Sequence, residues 1–318
     1  MQAEPQTRVL LEQMAAAGGA SLCDLPLTVA RAALKELSRT FEIAPDAIDR
    51  TDDRDIPGPN GPVPIRIYWP VAKSTGAAPP ILLLFHGGGY ALGDIDSHDC
   101  LARYYCARAG VVVINVGYRL SPEHKFPAGV EDCYAALAWA AQHGTEIGAN
   151  PARIAVTGDS AGGTFSAAVC QATRMRTGPA IAFQALVYPA LDLSADANYA
   201  SRTALGGGEY FISMRDIAWI REMYFTDPVQ EGVTPLASPI FATDLNGLPP
   251  ALVVTAGLDP LVDEGRRYHE RLTAAGVESE YRCFDGTIHG FLSFAGALAI
   301  GREGLDLVAD RIARALHG

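Results

Sequence analysis

The stretch "RIAVTGDSAGG", residues 153–163, decides how the rest of the chain is read. Ile154, Ala155 and Val156 are a short apolar run of strand type. "SAGGTFSAAVCQA" after it is a helix built of small residues. Between the two, Gly158, Ser160 and Gly162 make G-x-S-x-G. A serine at the apex of a sharp strand-to-helix turn needs neighbours without a Cβ two residues to either side. Such a turn exposes the hydroxyl and aims the free N–H groups of a helix start at it, where negative charge is favoured. A glycine-rich turn kept only for close strand–helix packing would carry the same letters. The buried strand before and the helix behind favour the nucleophile.

Working outward, "ILLLFHGGGY" (81–90) ends a second apolar run on three glycines. Glycine loses more backbone freedom on folding than any other residue, so three together imply close approach to bare backbone. A serine attacking an acyl carbonyl creates an oxyanion, and fixed backbone N–H groups stabilise it without reorganising. Ala161, next after the serine, is placed to give one donor, and His86-Gly87-Gly88-Gly89 has the form that gives others. A phosphate cradle is the competing use. It fits poorly, because no G-x-G-x-x-G or Lys-Ser/Thr follows and "YALGDIDSHD" would face a phosphate with acids. His86 reads as a residue that orients the loop by hydrogen bonding.

Serine at neutral pH needs a histidine base, itself held by a carboxylate, and in strand–turn–helix sites the chain order is Ser, acid, His. His269, His289 and His317 follow Ser160. His269 sits in the charged helix "RRYHERL" and His317 next to the last residue, which leaves His289 in the Gly-flanked loop "FDGTIHGF". Asp259 comes directly after the strand "ALVVTAGL". Asp285 is the alternative acid, though nearer to the strand than to the loop tip. Asp263 and Glu264 read as first-turn helix residues favoured by the dipole.

"VPIRIYWP", "PPILLLFH", "GVVVINVGY", "RIAVTGD", "FQALVYPAL" and "PALVVTAGL" are strand-like, and several are apolar on both faces, as in a buried parallel sheet. Helical patterns lie between them, so right-handed crossovers cover both faces of a mostly parallel α/β sheet. Ligands in such folds lie at the carboxyl ends of the strands. Residues 1–45 carry two helical patterns, among them "DLPLTVARAALKELSRTF" (24–41). Residues 193–247 interrupt the alternation with one good helix, 213–225, opened by a Ser213/Asp216 capping-box spacing. The expected division is 1–45 helical, 46–192 core, 193–247 an insertion over the sheet, and 248–318 core again.

The 318 residues are 49% hydrophobic and 19% charged, hence globular, and the net charge of −11 argues against nucleic acid as a partner. No apolar run reaches the ~18–20 residues of a membrane span. The N-terminal stretch, broken by Glu4, Arg8 and Glu12, lacks the form of a signal peptide. Six cysteines show no metal spacing and read as reduced core residues, which points to the cytoplasm.

Taken together, "HGGGY" (86–90), "YRLSPEHKFPAG" (118–129), "GDSAGG" (158–163), "YPALD" (188–192), "DPLVDEG" (259–265) and "HGF" (289–291) resemble the hormone-sensitive lipase family of α/β-hydrolases. The resemblance implies a serine carboxylesterase with Ser160, Asp259 and His289 as its triad. Gly88, Gly89 and Ala161 would be the oxyanion donors, with neither metal nor organic cofactor. It also implies a helical cap from residues 1–45 and 193–247, Tyr118, Arg119 and Glu123 as scaffold, small-molecule esters of short to medium acyl chain as substrates, and a homodimer. Tyr210, Phe211, Met214, Trp219 and Met223 are the candidates for the acyl pocket wall, each as readily read as cap core, and Tyr90, the aromatic residue after the glycines and compatible with the family pattern, is a further substrate-binding candidate. A non-catalytic receptor on the same fold would lack the base. An acyltransferase or amidase would keep the same site.

Overall fold

The computed structural model describes residues 2–16, 21–71 and 76–318. Among them, eight strands form one sheet: β1 (Arg50–Gly58), β2 (Gly61–Trp69), β3 (Pro80–Phe85), β4 (Val112–Val116), β5 (Asn150–Asp159), β6 (Phe183–Val187), β7 (Ala251–Leu258) and β8 (Ser279–Ile288). Their spatial order is β1-β2-β4-β3-β5-β6-β7-β8. β1, β2 and β4 meet antiparallel, and every pairing from β4 across to β8 is parallel. The helices are α1 (Pro5–Ala16), α2 (Leu27–Phe41), α3 (Asp99–Ala109), α4 (Ala128–His143), α5 (Ala161–Met175), α6 (Ala200–Leu205), α7 (Met214–Tyr224), α8 (Val262–Ala274) and α9 (Ala299–His317).

The period-two alternation of a strand divides the core. Ile81, Leu83 and Phe85 of β3 face one cluster, with Phe165 of α5 and Tyr268 and Leu272 of α8. Leu82 and Leu84 face the other, with Tyr105 of α3 and Leu305 and Ile312 of α9. Each such fully buried side chain is worth roughly 1.5–3 kcal/mol of transfer free energy. Both faces of the sheet are therefore covered, and the runs expected as strands are strands.

β1 departs from expectation, since "RTDDRDIPG" did not read as a strand. It is an outer strand with one face in water, and its burial pattern is almost wholly exposed apart from Ile56. Charged residues on an edge are how sheets avoid pairing with other chains, so the hydrophobic signal is absent where it is not needed.

The strands that matter for chemistry end on one edge. β3, β5, β7 and β8 run parallel and finish at Phe85, Asp159, Leu258 and Ile288. Near this edge, residues 21–24 meet residues 215–216. The Ser21 hydroxyl donates to the Asp216 carboxylate, the Cys23 N–H reaches the same oxygen, and Arg215 pairs with Asp24. Asp216 also completes the capping box of α7 with Ser213. No helix of the described residues is long and apolar enough to cross a membrane. All six cysteines are free, four of them buried.

Candidate active site

Ser160 sits between β5 and α5 with φ +53° and ψ −118°, a backbone that side chains other than glycine rarely adopt. The turn is held by crowding. A Cβ on Gly162 would come within 1.9 Å of the Phe85 carbonyl oxygen, and one on Gly158 within 2.4 Å of the same oxygen. The two glycines are what lets the serine be where it is.

Three side chains from three strand ends meet here. His289 Nε2 lies 2.9 Å from Ser160 Oγ, and His289 Nδ1 lies 2.7 Å from Asp259 Oδ2. Asp259 is fully buried, and its other oxygen accepts the Leu261 N–H at 2.8 Å. This fixes the carboxylate and, through it, the ring. The rival residues lie elsewhere. Asp285 is exposed and contacts Cys283, His269 bonds Ser279, and His317 bonds the Ala109 carbonyl. Glu264 is in the first turn of α8 as expected, but it is also buried. It accepts N–H bonds from Leu191 and Asp192 and pairs with Arg202, clamping the segment after β6.

The three glycines after β3 form a tight loop. Gly88 and Gly89 have φ +115° and +58°. Gly88 has its back to the Leu92 carbonyl, where a Cβ would come within 2.3 Å. Among the described residues, the N–H groups of Gly88, Gly89 and Ala161 have no hydrogen-bond acceptor, as donors reserved for a ligand would. His86 is buried, stacked on Tyr118, and its Nδ1 lies 2.8 Å from the Gly87 carbonyl. Burial, with His98 beside it, lowers this imidazole to about 4, so it is neutral near pH 7.

A cavity of about 120 Å³ opens over Ser160 and His289. Tyr90 and Phe211 are on its wall, but Tyr90 is spent on structure. Its hydroxyl donates to Thr164 Oγ1 at 2.9 Å and its ring stacks on Tyr224. Tyr210, Met214, Trp219 and Met223 are not on the wall; Ile212, Ile217 and Ile220 are. Helical spacing explains the difference, since Ile217 and Ile220 share the inner face of α7 while Trp219 and Met223 turn toward Ala30, Ala91 and Leu92. Tyr210 packs on the α9 side of the core, and Met214 on the opposite cluster beside Gly206.

Polar residues outside the expected set also line the cavity, among them Ser38, Ser293 and two that are bonded to each other. Asp159, the residue before the serine, and His98, in "DSHD", are both on the wall and bonded to each other at 3.0 Å. The signal was an acid beside the nucleophile and a histidine soon after the glycines.

Residues 82–293 match a family model described as alpha/beta hydrolase fold. The chain belongs to the α/β-hydrolase fold family. Within this family it is of the hormone-sensitive lipase type, and it is a carboxylesterase. It is 45% identical to the carboxylic ester hydrolase LipN of Mycobacterium tuberculosis over 76% of this chain and 64% of that protein, just under two thirds of LipN's length. It is 38% identical to the carboxylesterase NlhH of the same organism, over 91% of this chain and 89% of that one. The ester hydrolase EH1AB1 from the metagenome of Lake Arreo, solved with a bipyridine phosphonate derivative, matches all of both chains at 39% identity with a TM-score of 0.94.

Proposed function

We propose that this α/β-hydrolase cleaves short- to medium-chain acyl esters in two steps at Ser160. The single observation that carries the reading is the unbroken chain of hydrogen bonds from Ser160 through His289 to buried Asp259, opening on one apolar cavity. His289 Nε2 takes the Ser160 proton as Oγ attacks the carbonyl carbon. Asp259 holds the ring through its Nδ1–H and stabilises the imidazolium that forms. Gly88, Gly89 and Ala161 N–H groups donate to the oxyanion. The tetrahedral intermediate collapses, and the alcohol leaves with the proton from His289. Water gives a proton to the same nitrogen as its oxygen attacks the acyl carbon, and the second tetrahedral intermediate collapses with the His289 proton passing to Ser160 Oγ, which releases the acid and restores the serine.

The cavity size supports a short acyl group, since about 150 Å³ of apolar space is enough to hold benzene. A groove of about 720 Å³ shares Leu22, Leu34, Phe211 and Asp216 with it, and would take a longer chain or the alcohol. The free cysteines support a cytoplasmic location; a homodimer rests on the family alone. The helical cap is the pairing of residues 1–45 with 193–247.

The test is hydrolysis of p-nitrophenyl esters from two to sixteen carbons by wild type and Ser160→Ala. Activity that peaks on short chains and falls by three or more orders of magnitude in the variant is expected. A Ser160→Ala protein as active as wild type removes Ser160 as the nucleophile.

A further inference from the structure

A second histidine–carboxylate couple stands on the other side of the nucleophile, outside the triad. Asp159 Oδ1 accepts the Gly87 N–H at 2.9 Å and lies 3.0 Å from His98 Nε2. Both side chains are more than nine-tenths buried. His98 Nδ1 lies 3.0 Å from Ser97 Oγ, which accepts the Asp94 N–H, and Lys35 pairs with the Asp94 carboxylate. His86 lies 5.5 Å away, ring to ring. Gly87 has no room for a Cβ, which would fall 2.3 Å from Asp159 Oδ2. Backbone and carboxylate are fitted to each other.

The bond joins two parts that have to be in register. Asp159 is covalently next to Ser160, and Gly87 is covalently next to Gly88. One hydrogen bond therefore ties the nucleophile turn at the end of β5 to the glycine loop at the end of β3. It also creates a difficulty, because a buried carboxylate next to a developing oxyanion opposes it. Burial would raise the Asp159 carboxyl, yet the charge and hydrogen bond of His98, with His86 and His289 nearby, hold it below its ordinary value. It is ionised at neutral pH, and something has to answer its charge. His98 is turned onto it.

We propose that Asp159 and His98 are positioning residues of the hydrolysis, Asp159 holding the Gly88 and Gly89 donors in register with Ser160 and His98 keeping the Asp159 carboxylate from opposing the oxyanion. This rests on the reading of Ser160 as nucleophile and of the glycines as donors.

The test compares wild type, Asp159→Ala, Asp159→Asn, His98→Ala and Ser160→Ala on p-nitrophenyl acetate and on an acetate thionoester, with rates per mole of folded protein. Sulfur in place of the carbonyl oxygen is a poor acceptor, so an intact oxyanion hole favours the oxygen ester. Asp159→Ala is expected to lower kcat roughly tenfold to a hundredfold, less than the loss of an oxyanion donor itself. KM should be nearly unchanged and the oxygen-over-sulfur preference should shrink. Asp159→Asn, which still offers Oδ1 to Gly87, should recover most of both. His98→Ala should lower kcat and the preference in the same direction. If Asp159→Ala does not fold, His98→Ala and Asp159→Asn carry the decision. A lower melting temperature with kcat and preference at wild-type values in His98→Ala and in any folded Asp159→Ala overturns the proposal. An unaffected Ser160→Ala would instead overturn the reading beneath it.

Discussion

His86 begins the motif that supplies the glycines, and its own contribution is to stay uncharged. Its imidazole titrates at about 4 in the folded chain, against an ordinary value of 6.5. The unfolded chain therefore binds the proton first as the pH drops. Stability from this residue is fully present above pH 6.5 and is lost as the pH falls toward 4, by at most ~1.4 kcal/mol per pH unit. Urea midpoints measured between pH 7.5 and 5 should fall less in His86→Gln than in wild type; equal slopes would show that His86 is not the group responsible. That Ser160, Asp259 and His289 meet was legible residue by residue, because each stands at a distinctive place in the chain: a turn apex, a strand end, a Gly-flanked loop. Asp159 and His98 were not, because their role depends on a distance between two loops 61 residues apart in the chain.

At the level of elements, α7 shows where legibility stops. Its start was readable from Ser213 and Asp216, and the capping box is formed. Which of its faces would look into the cavity was not readable, because apolar surroundings lie on more than one side of a helix with apolar residues on more than one face. Buried strands announced themselves by composition, whereas β1 hid because an edge strand needs no apolar run. The inner face carries Ile220, whose side chain lies so close over Gly89 that a Cβ there would come within 2.5 Å of it. Ile220→Ala is expected to raise kcat/KM for longer or branched acyl esters relative to acetate. Its cost should fall below the roughly 2–5 kcal/mol of truncating a fully packed isoleucine, since the site already borders a cavity. Chain-length profiles of the two proteins check this; an unchanged profile would place the acyl group elsewhere.

Across the whole molecule, the floor of the site and its walls come from different lengths of chain. The ends of β3, β5, β7 and β8 provide the floor, while Leu22, Leu34 and Ser38 from residues 22–38 and Phe211, Ile217 and Ile220 from residues 211–220 provide much of the wall. Arg31 fastens α2 to the segments that follow the glycine loop and β4, its guanidinium donating to the Ala91 carbonyl at 2.8 Å and to the Ser121 carbonyl at 3.2 Å. Its ion pair with half-exposed Glu123 adds at most about 1 kcal/mol. Arg31→Ala is therefore expected to raise KM several-fold with kcat little changed, and Glu123→Ala to do neither; a fall in kcat alone would show that α2 acts on the chemistry and not on access. The separation of floor from wall has an evolutionary consequence. Substitutions within residues 22–38 or 211–220 can redraw which esters enter while the hydrolytic step is inherited intact, so relatives of this chain can diverge in diet without reinventing the reaction. Exchanging those two segments between relatives, as a matched pair, is expected to carry selectivity with them.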